Sequence, residues 1–226
     1  MGLALKRKLT TLTHSDNDIL SADIPREHMF STIWIRIAGT LTVTVDATAR
    51  ENHILNLIKN IQIKAEGAIV PKNMNGVNAF LISKYESRVQ PNMSAPSGYT
   101  AAGSPYTFNA SIPISFILPP DYGRNDRYAT LFDSDPLKTL QILITTGDVD
   151  DIISAGTATV AATYSIHANE ISGIQNRLTD LNQESQQDKS FAGASSALEH
   201  DLPLAVRASV PFYDVANVFN GGCPGV

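Results

Sequence analysis

The chain has 226 residues, with 17 basic and 22 acidic side chains and a formal net charge of −5. That length suits one all-β domain or two smaller domains, and about 70% of its unfolded surface could be buried without disulfide or metal staples. Charged residues are only 17% against 43% hydrophobic, which excludes a disordered chain, a coiled coil and a globally basic nucleic-acid binder.

Met1 to Lys8 places its charges after a very short apolar stretch, the wrong order for a secretory signal, and Lys6 breaks the myristoylation pattern. Lys6, Arg7 and Lys8 form the one basic cluster. On a mobile arm they would meet lipid headgroups or nucleic-acid phosphates, weakly in one copy and more firmly in an array. The alternative is a solubilising tail.

From Ile33 to Val45 the odd positions read Ile, Ile, Ile, Gly, Leu, Val, Val, and the even ones Trp, Arg, Ala, Thr, Thr, Thr. This period of two predicts a long strand with one buried and one Thr-rich face, and Gly39 is the expected bulge or bend. Arg50 to Lys59 carries a short helical face, and Asn60 to Glu66 alternates again. Met74, Val77, Leu81 and Tyr85 have helical spacing. The segment 90–105 is rich in Pro, Gly and Ser and predicts a surface loop.

Phe108 to Leu118 is the next alternating segment. Pro113 on its polar face predicts an edge or a bulge. Leu140, Ile142 and Ile144 form a shorter set, and residues 157–166 a longer one. Residues 172–200 read as a polar linker, and Leu204 to Phe212 as a last strand. Six one-sided strands predict an all-β fold: an antiparallel β-sandwich or jelly-roll barrel with short helices in its connections. The expected organisation is an N-terminal arm at 1–27, the barrel at 28–171, and a linker and C-terminal arm at 172–226. Its strand at 204–212 would complete the sheet or pair with a neighbour.

Chemistry-bearing motifs are sparse. His14, His28, His53, His167 and His200 share no metal-ligand spacing, and His167 continues a polar strand face. The carboxylates Asp121, Asp126, Asp133 and Asp135, and then Asp148, Asp150 and Asp151, fit turns and caps better than a calcium loop. No nucleophile elbow or phosphate-binding loop is present, and Cys223 is a lone thiol. The expectation is a non-enzymatic protein without cofactor or metal. Tyr99 and Tyr106 are the only candidates for an exposed aromatic platform of a carbohydrate-recognising or spike-type binding module, which is the alternative reading.

Three blocks carry a resemblance. Ile24-Pro25-Arg26-Glu27-His28 precedes the long strand ending Gly39-Thr40-Leu41-Thr42-Val43-Thr44. Asn56 to Gly67 is the second block, and the third runs from Phe116-Ile117-Leu118-Pro119-Pro120 through Thr130-Leu131-Phe132-Asp133 to Ile142. Over about 24–170 the order of strands and turns resembles the jelly-roll major capsid proteins of tailless icosahedral phages with an internal membrane. The resemblance implies a self-assembling shell subunit in the virion, made in the host cytoplasm. Its partners would be copies of itself in a trimer or pseudo-hexameric capsomer, a second capsid or vertex protein, and the underlying lipid membrane. The double-barrel branch carries a second jelly roll of on the order of 100 residues or more, for which the stretch after Glu170 leaves little room. A single jelly roll with extended arms is the expected form.

Overall fold

The computed structural model describes residues 3–26, 28–67, 69–85, 91–96, 98–117, 131–172 and 184–185. In chain order its strands begin with β1 (Leu3–Thr13), β2 (Ile19–Asp23), β3 (Met29–Ala49), β4 (Ile58–Ala65) and β5 (Ile69–Met74). Helix α1 (Gly76–Tyr85) precedes β6 (Asn92–Ser94), β7 (Tyr106–Ser115), β8 (Phe132–Asp133) and β9 (Leu140–Thr146). The one-turn α2 (Val149–Ile152), β10 (Ile153–Ser172) and β11 (Glu184–Ser185) follow.

Two sheets result. One runs β1-β10-β3-β7-β6 with β8 also on β3, and the other runs β11-β5-β4-β9-β2. All pairings are antiparallel except the two-residue contact of β11 with β5. The inward positions interleave between the sheets: Ile33, Ile35 and Ile37 of β3, Ile61 and Ile63 of β4, Ile142 and Ile144 of β9, and Tyr164 and Ile166 of β10 are wholly buried. β-Branched residues crowd this core because they pack well on a pleated surface. The all-β, two-sheet expectation is met.

Several details depart from the sequence reading. Residues 3–13 and 19–23, expected within an arm, lie in the sheets: β1 pairs along β10, and β2 along β9. The alternation of β1 is disguised because Arg7 points inward and a register shift between Lys8 and Thr10 moves the inward set from odd to even positions. Gly39 makes no bulge; it sits in unbroken register opposite Ala162 and Phe108. Val45 is 56% exposed, because the β3–β10 ladder shifts register near Thr157 and runs past the core. In α1 the buried residues are the small ones, Gly76, Ala79 and Ser83, while Tyr85 is exposed.

Pro113 fits because α1 covers that side of β7. Its carbonyl accepts from Ser83 Oγ, so its missing N–H faces away from β3 and no ladder bond is lost. The described residues of the segment 90–105 (91–96 and 98–105) are mostly irregular but contribute β6 and a 3₁₀ turn at Ala101–Gly103. The strand expected at 204–212, His200, Cys223, Asp121 and Asp126 lie outside the described residues.

Candidate functional site

The alternation of β1 splits the basic cluster across the sheet. Arg7 faces inward, where its Nη2 and Nε donate to Glu170 Oε1 at 2.8 and 3.2 Å. Glu170 is 1% exposed, and His28 Nε2 stands 3.8 Å from its second oxygen. Arg7 is therefore a structural counter-charge for a buried carboxylate, and its fork geometry suits that role. Lys6 and Lys8 point outward.

On that outer face the register builds three rows. Lys8, His167, Trp34 and Pro113 stand side by side across β1, β10, β3 and β7. Thr11, Ser165, Arg36, Ser111 and Asn92 form the next row, and Lys6, Asn169, Thr32 and Ser115 the row on the other side. No carboxylate stands in any of them. Lys6 Nζ lies 5.2 Å from the centroid of the Trp34 ring, a cation–π contact. Trp34 Nε1 is buried without a hydrogen-bond partner among the described residues.

Between these strands lies a cleft of about 300 Å³ lined by Lys6, Trp34, Arg36 and His167, with Asn92, Asn109 and Ser111 completing the wall. The His167 pKa falls below its usual 6.5, first through burial and then through the positive charges of Lys6, Lys8 and Arg36. The imidazole thus registers a positive local potential on a chain whose net charge is negative.

The other sequence candidates have structural partners. His14 bridges Tyr164 Oη and Asp16 Oδ1, both at 2.9 Å. His53 packs edge-on against Tyr99, and burial lowers its pKa. The Asp133 carboxylate accepts from the Asp135 N–H at 3.1 Å, closing the expected turn. Asp148 caps α2 in a reciprocal box with Asp151, and Asn17 Nδ2 donates to it at 2.6 Å. Tyr99 is buried, its ring packed edge-on against Tyr106, so this tyrosine offers no exposed platform. Among the described residues no group of three His, Cys, Asp or Glu side chains could hold a metal ion. No helix among them is long and apolar enough to cross a membrane.

The cap supplies one prediction. The Asn17 hydrogen bond is the main influence holding the Asp148 carboxyl below its usual pKa of 3.8. Its stabilisation is therefore present above that value and lost as the pH falls through the lowered one. Asp148→Ala should cost about 1 kcal/mol in urea unfolding at neutral pH, and the deficit should shrink in acid.

The cleft's residues were visible separately in the sequence but not as a group. Lys6, Trp34, Arg36 and His167 come from three strands, and only the β1–β10 and β10–β3 registers bring them together.

No protein-family model matches this chain, and no curated protein matches it. Among solved structures it is similar to the crystal structure of the STIV MCP, a major capsid protein, with TM-score 0.58 and 15% identity over 80% of this chain and 50% of that one. It is also similar to a chain in the atomic structure of Sulfolobus Turreted Icosahedral Virus, with TM-score 0.55 and 16% identity over 73% of this chain and 44% of that one. The chain thus spans about half the length of the structures it matches. At such low identity the likeness establishes architecture: the two antiparallel sheets are stacked as in a jelly-roll viral capsid protein.

Proposed function

We propose that this chain is a non-enzymatic shell subunit of an icosahedral virion, working in the capsid by packing against copies of itself. The observation that carries the reading is the superposition of four-fifths of the chain on half of a capsid protein. Composition supports it: Thr-clad strand faces with few charges can be desolvated against a neighbour at modest cost. The long outer edge of β1, which ends its sheet among the described residues, is a second support, because an open edge must be paired, covered or charged, and Lys6 and Lys8 charge it.

The finer reading is a trimeric or pseudo-hexameric capsomer built from single barrels, in a phage of the internal-membrane, adenovirus-like lineage. A second capsid or vertex protein would share the shell, and lipid would lie beneath it. In this reading the segment 204–212 pairs with a neighbouring copy. Sedimentation velocity of the purified chain checks the central part. Trimers or larger species are expected, with removal of residues 201–226 shifting them toward monomer. A monomer at all concentrations would count against the proposal.

A further inference from the structure

We propose that the cleft between β1, β10, β3, β7 and β6 binds a phosphate group, free or carried on a lipid headgroup. The inference does not depend on the assembly reading.

Three permanent cations, Lys6, Lys8 and Arg36, lie within two strand spacings of His167, roughly 10 Å, and none has a carboxylate partner among the described residues. Such a cluster raises the energy of the empty protein through mutual repulsion, since the separations are close to one Debye length at physiological salt. An anion removes that repulsion. Among the described residues the chain supplies none on this face; the inward carboxylate of β10, Glu170, is occupied by Arg7.

The shape narrows the anion. About 300 Å³ is at the small end of ligand sites, so a single compact group fits. Arg36 comes from β3, Lys6 from β1 and His167 from β10, so donors converge from three strands. A carboxylate, with two coplanar oxygens and one charge, is satisfied by a single guanidinium. A phosphate has more acceptor oxygens and up to two charges, and uses all three sides. Asn92, Asn109 and Ser111 add neutral hydrogen-bonding groups on the β6–β7 wall.

His167 makes uptake pH-dependent. The titratable or charged groups facing it are Lys6 and Lys8 from β1 and Arg36 from β3; β7 presents Pro113 and Ser111. A bound anion favours the imidazolium, so affinity should rise as the pH falls toward and below 6.5.

Calorimetric titration of the full chain with inorganic phosphate tests the site, with sulfate as the pH probe because its charge is constant over the range. Lys6→Gln with Arg36→Gln should weaken phosphate binding by about tenfold or more, while Lys64→Gln on the other sheet leaves it unchanged. Both positions are exposed, and circular dichroism confirms that the variants fold. His167→Gln should abolish the increase in sulfate affinity between about pH 8 and about pH 6 and leave the value at the higher pH unchanged. Vesicles carrying a phosphomonoester headgroup, compared with a soluble phosphomonoester, identify the carrier, and inorganic phosphate should displace whichever binds. No phosphate binding by the unaltered chain overturns the proposal. So does binding that is indifferent to the Lys6/Arg36 double change.

Discussion

Gly39→Ala should destabilise the barrel by about 3 kcal/mol, although it adds one methyl group. A Cβ there would stand 2.3 Å from the Ala161 carbonyl oxygen, 2.8 Å from Ala162 Cα and 2.8 Å from Phe108 Cζ. Two of these contacts are backbone of the neighbouring β10, which makes the longest ladder in the structure, so relief requires the central strands to move apart. The ring of Phe108 occupies the space that the missing side chain leaves. For a domain of this size the loss corresponds to about 10 °C in Tm. Urea unfolding should show a lower midpoint with an unchanged slope. Adding Phe108→Leu to Gly39→Ala should recover less than half of the loss, because the ring accounts for only one of the three contacts. A neutral Gly39→Ala would mean that β3 and β10 do not approach as described.

Arg7→Ala is the second large effect. Glu170 is 1% exposed and its Oε1 receives both Arg7 hydrogen bonds. Removing the guanidinium leaves a carboxylate inside the sandwich whose remaining cationic neighbour among the described residues is His28, at 3.8 Å. The expected loss is about 2 to 3 kcal/mol, below the upper range for buried pairs because Arg7 itself is 40% exposed. Glu170→Gln should cost less, about 1 kcal/mol, since the abandoned cation can turn to water. The double change Arg7→Met with Glu170→Leu should recover most of the Arg7→Ala deficit, as apolar replacements of buried pairs often do. Equal losses for Arg7→Ala and Glu170→Gln would show that the buried carboxylate is not what makes the pair important.

These two sites also show which features can be read from the chain itself. The strands around Ile33–Ile37, Ile61–Ile63, Ile112–Ile114 and Tyr164–Ile166 were legible because each buries one face against the opposite sheet, and the periodicity records this residue by residue. β1 was not legible. Arg7 occupies an inward position that an apolar residue would normally take, and its compensation by Glu170 is 163 residues away. A local pattern cannot contain that information. Gly39 was noticed but misassigned: a glycine in a strand fits a bend or a close approach equally well, and only the cross-strand positions of the β10 backbone and of Phe108 decide between them.

The candidate site divides the same way. Lys6, Arg7 and Lys8 stood out as a run of cations, yet the pleat sends the middle one to the core and the outer two to the surface. Their companions Arg36 and His167 were readable as polar-face residues of two separate strands. Their assembly into one positive cleft depends on cross-strand register, which turns and distant pairings set. Asp148 was the opposite case. Its partners Asp150 and Asp151 are adjacent in sequence, so turn chemistry alone identified the cap.

The most direct test of the shell-subunit account is the protein content of purified virus particles in which this chain is found. The account predicts that this chain is the dominant band on a gel of intact particles, with its two-sheet barrel recurring across the shell in cryo-electron density. A chain absent from particles, or present in only a few copies at one vertex, would contradict it.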